Sequence, residues 1–390
     1  MSNQPSRLGD YMTSRRHKGE AGLPTLSVTL NNGLVRRDSL ERKTDTNLDP
    51  IQHLRVLPGD IAYNMMRMWQ GASGLAHEEA LVSPAYVVLA PQSNLDPRYA
   101  AYLFKTDRMI HNFWAYSYGL TNDRLRLYPN DALKVPVDIP PLPEQQKIAD
   151  ILSTWDAAIE KTEALLATAR TQKRALMQQL LTGKRRFPEF EDQPWEEVRL
   201  GQIAEIISGP AFKSNEFTDD GHKLVRGSNV KRGYLDWSPS ITVHWPSDIG
   251  LEDYRLVAGD IVIAMDGYVG RSHAYLAKEP EEPLLLVQRV ARVRSKDSDP
   301  SFLYANICSH DFFAHCERMK TATGIAHITM KDIRDFKVPG ITRAEQNAIG
   351  QVFEGCDGEV GDLVAQVQKL RTEKKALMQQ LLTGKRRVVV

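Results

Sequence analysis

The twelve residues ALMQQLLTGKRR occur at 175–186 and again at 376–387, identical at every position and 201 residues apart. Internal repeats constrain a fold before any other signal does. This one is larger than twelve residues. At the same offset Glu144-Gln145 matches Glu345-Gln346 and Ile148 matches Ile349. Upstream, LKVPV (133–137) resembles FKVPG (336–340), RVLPGDI (55–61) resembles RLVAGDI (255–261), and RLGD (7–10) resembles RLGQ (199–202). LDPRYAAYLF (95–104) parallels SDPSFLYANI (298–307). The offsets drift because loops differ in length. The chain therefore reads as two tandem copies of one unit, each a globular part followed by a long helix.

The helical segments are legible residue by residue. Ile148, Leu152, Trp155, Ile159, Thr162, Leu166, Ala169, Lys173, Leu176 and Leu180 step by four and three, the a/d spacing of a coiled coil. The second copy gives Ile349, Phe353, Cys356, Val360, Leu363, Val367, Leu370, Lys374, Leu377 and Leu381. Only Thr162, Lys173 and Lys374 break the apolar seam. Pro143 and Glu144 suit a helix start, and Gly183 and Gly384 suit a left-handed end. Each helix would hold about 39 residues, roughly 58 Å long. Charge sets the pairing. Residues 144–163 carry −3 and 164–186 carry +6; residues 344–363 carry −5 and 364–387 carry +6. A parallel pair would set +6 against +6, so the expectation is an antiparallel two-helix rod.

The globular parts read as α+β. VSPAYVVLA (82–90), LLLVQRVARV (284–293), GDIAYNM (59–65) and GDIVIAM (259–265) look like strands, the last two entered through a glycine turn. DPRYAAYLFKT and DPSFLYANICS look like helices opening on an Asp N-cap with Pro at N1. The expected architecture is two tandem α/β domains, 1–143 and 187–343, separated by an antiparallel coiled coil of helices 144–186 and 344–387, with pseudo-twofold symmetry.

Several function classes lack their motifs. No P-loop, G-x-G-x-x-G, H-E-x-x-H or G-x-S-x-G occurs, so no self-contained enzyme is expected. Asp96-Pro97-Arg98-Tyr99 and Asp299-Pro300-Ser301-Phe302 approach the Asp-Pro-Pro-aromatic motif of amino-methyltransferases but lack its second proline; they read as N-caps. ICSHDFFAHC brings Cys308, His310, His315 and Cys316 together without paired-ligand spacing, and reads as a packed helix with no metal. Three cysteines argue against a disulfide framework. With no apolar run long enough to span a bilayer and no secretory pattern at the N-terminus, the expectation is a cytoplasmic protein without membrane contact.

The formal net charge is +1, so DNA binding would have to come from local patches or a partner. Such patches exist. In the first unit they are Arg15, Arg16 and Lys18; Arg36 and Arg37; Arg67, Trp69 and Gln70; and Asn122, Arg124 and Arg126. In the second they are Lys213, Ser214 and Asn215; Lys223, Arg226, Ser228, Asn229, Lys231 and Arg232; Arg271 and His273; and Lys320, His327 and Lys331. Arg, Asn, Gln and Ser read base edges while Lys and Arg neutralise phosphates. The stretch SNVKRGY, between Gly227 and Gly233, reads as a loop and is the strongest of these candidates. Lys184-Arg185-Arg186 and Lys385-Arg386-Arg387 fit either helix-dipole compensation or contact with phosphate or a partner.

With VPVDIPPLPEQQKIADIL at 135–152 and WEEVRLGQIAEIISGPAFKS at 195–214 added to the repeated QQLLTG, nearly the whole chain resembles the specificity subunit of type I restriction–modification enzymes. The second unit departs by reading VPGITRAEQNAIG, and the first lacks the opening seen at Trp195. The resemblance implies a non-catalytic subunit whose two target-recognition domains each read one half of a split, asymmetric DNA site. The helices would set the unread gap. Two methyltransferase subunits would dock and methylate adenines using S-adenosylmethionine, and two restriction/translocase subunits would add ATP- and Mg-dependent translocation and cleavage. No cofactor is expected on this chain. The competing class is a coiled-coil scaffold or adaptor that never touches nucleic acid; it leaves unexplained why two domains share a framework and differ in their loops.

Overall fold

The computed structural model describes residues 6–40, 48–321 and 325–389. Contacts divide the chain into two units, Met1–Glu163 with Gln366–Val390, and Ala164–Ala365. Each unit takes the first half of one long helix and the last half of the other. The linear division into two globular segments and two helices is therefore not the division by packing.

The two units are built on the same sheet. In the first, strands Met12–Arg15, Tyr86–Pro91, Ile61–Asn64 and Ser73–Leu75 lie side by side in that order, all antiparallel. In the second, Ala204–Ser208, Val290–Ser295, Ile261–Ala264 and His273–Tyr275 repeat the order and the sense. The registers agree: Ile61 faces Leu89 and Leu75, and Ile261 faces Val293 and Tyr275. Side chains alternate along a strand, so each central strand feeds two cores. Ile61 and Tyr63 pack toward the helices while Ala62 packs against a smaller sheet; Ile261 and Ile263 do the first and Val262 and Ala264 the second. Gly59 (φ 93°) and Gly259 (φ 88°) turn the chain into these strands, as their sequences implied.

The smaller sheets differ. The first unit pairs His17–Lys18, Leu54–Val56 and Ala80–Val82, with a separate hairpin Leu26–Thr29 and Gly33–Arg36. The second orders His244–Trp245, His222–Val225, Leu284–Leu286 and Arg255–Leu256, with one parallel pair. The segments expected as single strands, 82–90 and 284–293, each break. Ala80–Val82 and Leu284–Leu286 belong to the smaller sheets, and Tyr86–Pro91 and Val290–Ser295 to the main ones. The corner is made at Pro84, which has no N–H for a ladder, and in the second unit at Arg289, whose φ is 67°.

The short helices Pro97–Leu103 and Pro300–Ile307 start as their sequences require. Asp96 accepts from the Arg98 and Tyr99 amides and Asp299 from that of Phe302, with proline in the first turn of each.

The long helices run Leu142–Leu180 and Arg343–Leu381, 39 residues each. They end at left-handed glycines, Gly183 (φ 68°) and Gly384 (φ 71°), earlier than 186 and 387. The Arg185 amide bonds back to the Gln179 carbonyl at 3.2 Å and that of Arg386 to Gln380 at 3.1 Å, satisfying carbonyls the helix leaves open. Ion pairs give the direction. In the first unit Glu144 meets Arg387, Asp156 meets Lys374 and Glu163 meets Arg371. In the second Lys173 meets Asp357 and Arg186 meets Glu345. Partner numbers fall as position rises, so the halves in each unit are antiparallel, acidic against basic. Every residue assigned to the seam is buried or half-buried, and Lys173 and Lys374 sit there because each finds an aspartate.

The repeated dodecapeptide now has a physical account. Leu377, Met378, Leu381 and Leu382 pack into the core that holds Tyr99, Ile148 and Leu152. Leu176, Met177, Leu180 and Leu181 pack into the core that holds Phe302, Ile349 and Phe353. The same segment docks the end of one helix onto the start of the other, twice. No helix among the described residues is long and apolar enough to cross a membrane.

Candidate nucleic-acid interface

Three connections meet at one end of each main sheet. In the first unit, strand Ile61–Asn64 ends where Ser73–Leu75 and Tyr86–Pro91 begin, since Tyr63 faces Ser73 and Asn64 faces Tyr86. The loop 117–126 is tied to the same place: the Leu127 amide donates to the Met65 carbonyl (3.0 Å), and that of Tyr118 to Arg126 (3.0 Å). The second unit repeats this. Ile263 faces His273, Ala264 faces Val290, the Ile328 amide donates to Met265 (2.9 Å), and that of Thr321 to His327 (3.1 Å). Residues far apart in sequence thus converge: Arg16, Arg67, Gln70 and Arg124 in one unit, and Arg271, Lys320 and His327 in the other. Loops carried on a rigid sheet are the usual bearers of recognition.

The candidates divide by what they touch. Among the described residues the side chains of Arg16, Arg67, Gln70, Arg124, Ser214, Ser228 and Arg232 are exposed and have no hydrogen-bond or ion-pair partner, and Lys231 is half-buried without one. The side chain of Asn122 lies outside the description. Arg16 lines a cavity of 210 Å³ with Met65, Tyr86 and Tyr128. Others are already engaged. Arg36 pairs with Glu78 at 2.8 Å, Lys213 with Glu216 at 3.4 Å and Lys320 with Glu317 at 2.8 Å. Arg271 lies over the Phe313 ring at 4.1 Å, and His327 bonds Asp266 at 2.6 Å.

Two candidates, Arg15 and Asn229, are engaged inside the fold. Arg15 donates twice to Asp60, at 2.7 and 2.8 Å, and is a brace for a carboxylate that is 2% exposed. In the second unit Arg294 braces Asp260 from the adjacent strand through two nitrogens, Nε and Nη2, at 2.7 and 2.8 Å, where Arg15 uses Nη1 alone. Asn229 has no exposed surface. Its amide accepts from the Arg226 N–H (3.1 Å) and donates to the Asp236 carbonyl (3.0 Å), pinning the loop from inside. Arg226 is half-buried and donates to the Ile241 carbonyl at 2.6 Å. SNVKRGY is a loop, as its glycines implied, but it presents Ser228 and Arg232 outward rather than Asn229.

The helix-end basic runs resolve in part. Arg186 makes a two-pronged contact with Glu345 (2.9 and 2.7 Å) and Arg387 with Glu144 (2.7 and 2.6 Å). The last arginine of each repeat is a clamp on the opposite helix, not a free phosphate contact.

A family model for the type I restriction modification DNA specificity domain matches residues 53–168 and 192–365, one copy over each repeat. The chain belongs to this specificity-subunit family. Among curated relatives, the type I restriction enzyme MjaVIII specificity subunit of Methanocaldococcus jannaschii is 26% identical over 344 residues, 83% of this chain and 79% of that protein. The EcoAI specificity subunit of Escherichia coli is 33% identical over 161 residues, 40% of this chain and 27% of that protein. The crystal structure of a type I S subunit from M. genitalium shares the fold at a TM-score of 0.62, with 16% identity over 98% of this chain and 97% of that one.

Within this fold Cys316 and His273 are buried in the second unit and Cys308 is half-buried against its core. Burial pushes the Cys308 and Cys316 thiols up to about 12 and the His273 imidazole down to about 4. Sequence reasoning missed other residues at the loop end. Leu120 is 93% exposed in the loops of the first unit and Tyr268 81% exposed in those of the second, where Arg289 makes the strand corner. Exposure of single apolar residues in loops has no sequence signal.

Proposed function

We propose that each unit reads one half of a split, asymmetric double-stranded DNA target through the loop end of its main sheet. The paired helices set the unread gap and dock two methyltransferase subunits, with two restriction/translocase subunits completing the complex. S-adenosylmethionine, ATP and Mg belong to those partners. The carrying observation is that both units keep one sheet, one register and one set of helix clamps while changing the side chains on the same three loops. A shared frame with different readers is what two different half-sites require. The near-neutral net charge fits partners that share the phosphate contacts.

The test is to map methylated adenines in host DNA with and without this chain. A split motif that vanishes on deletion supports the reading. Methylation unchanged on deletion, with no modification subunit retained on purification of the chain, rejects it in favour of a scaffold.

A further inference from the structure

Arg289 is the only non-glycine residue among the described residues with a left-handed backbone. That conformation crowds Cβ against the following carbonyl, and unfavourable backbone of this kind concentrates at functional positions. The surrounding loops hold it in place. The Met265 amide donates to the Arg289 carbonyl at 3.0 Å, and that of Gly267 to Ala326 at 2.9 Å. The His327 Nδ1 lies 2.6 Å from Asp266 Oδ1 and donates to it. Arg289 Nη1 donates to the same oxygen at 3.4 Å, and His327, its Nδ1 proton committed to Asp266, holds that carboxylate in place. One corner of the guanidinium is therefore positioned by an aspartate–histidine pair, and its other donors have no partner. The side chain is 58% exposed.

The arrangement suits base readout better than phosphate contact. An arginine fork meets guanine O6 and N7 through two parallel donors, and a fixed fork loses little freedom on binding. A phosphate would be served by any mobile lysine. The group is also private to one unit. The matching backbone positions of the first unit hold Ala85, Met66 and Arg126, by the pairings of Tyr86 with Asn64 and Val290 with Ala264 and the equivalent amide bonds to Met65 and Met265.

We propose that Arg289 reads a guanine in the half-site of the second unit, with Asp266 and His327 as positioning residues. This rests on the half-site reading given above. The test uses the full chain co-expressed with its modification subunits and maps methylation for Arg289→Gly, Arg289→Lys, Asp266→Asn and His327→Ala. Arg289→Gly is expected to lose roughly 10- to 100-fold of the discrimination at one guanine of one half-site, leaving the other half-site unchanged. Its melting temperature should hold or rise, because glycine accepts the backbone angle freely. Arg289→Lys should not restore the preference, and the two positioning variants should relax the same base less. An unchanged motif in Arg289→Gly overturns the proposal. So does equal loss at every sequence, the mark of a phosphate contact. A wild-type complex that writes no split motif overturns the half-site reading and this inference with it.

Discussion

Arg186 and Glu345 form a two-pronged ion pair inside the second unit, with side chains 11% and 1% exposed. Its counterpart, Arg387 with Glu144, has the same geometry, but Arg387 is 68% exposed. Removing one partner of a buried pair strands the other charge, which costs about 3 kcal/mol or more; exposed pairs are screened and contribute little. Each variant strands a buried glutamate, so Arg186→Ala should lower stability by about that amount and Arg387→Ala by less, since Glu144 at 8% exposed keeps more water than Glu345 at 1%. Chemical denaturation of the two variants checks the ranking, and equal losses would contradict the burial argument.

The Arg15–Asp60 brace gives a pH dependence. Burial raises the Asp60 carboxyl above its ordinary value, and Arg15 works against that rise. A carboxyl raised in the folded state binds its proton more readily there than in the unfolded chain. That contribution is full below the unfolded value near pH 4 and is lost as pH climbs through the raised one. Without Arg15 the carboxyl rises further. Arg15→Ala should therefore lose more stability at pH 7 than near pH 4, measured as the difference from wild type in thermal unfolding. A deficit that grows on acidification would contradict this account. Since Arg294 braces Asp260 from the neighbouring strand, Arg15→Ala should leave the second unit intact.

Asn229→Ala removes a buried amide and leaves the Arg226 N–H and Asp236 carbonyl unsatisfied. The expected cost is about 1–3 kcal/mol in the second unit. Ser228→Ala, one residue away and exposed, should change stability by no more than about 0.5 kcal/mol. Hydrogen exchange of the 226–241 segment in the two variants distinguishes a loop brace from a DNA contact, since only the brace changes protection without DNA.

What the chain disclosed in advance follows from the range of the forces involved. The 4-3 spacing from Ile148 to Leu180, the Asp-Pro caps at Asp96 and Asp299 and the glycines at 183 and 384 act within one or two helical turns, so a window of sequence contains both cause and effect. The antiparallel sense was legible because unlike charge fills whole helix halves. The reading surface was not. Arg15 lies 45 positions from Asp60 and looks as free in sequence as Arg16 does. Asn229 has the composition of a solvated loop and the burial of a core residue. Arg289 sits inside LLLVQRVARV, whose apolar pattern reads as uninterrupted strand, and no residue type announces an arginine with positive φ.

The helix pair supplies a test of gap setting that leaves the readers alone. Seven residues inserted at the middle of both long helices preserve the a/d seam, because the heptad repeats on itself. Each helix lengthens by about 10.5 Å. At about 3.4 Å per base pair that is roughly three base pairs. The mapped motif should keep both half-sites and gain about that many unread positions. A four-residue insertion is the informative contrast. It also lengthens the helices, but it is not a whole heptad, so it turns the seam beyond the insertion by about 40° against the seam before it (four residues at 3.6 per turn). The heptad insertion should therefore retain more methylation than the four-residue one. A gap that stayed fixed in the heptad variant, with both half-sites still read, would mean that something other than helix length sets the spacing.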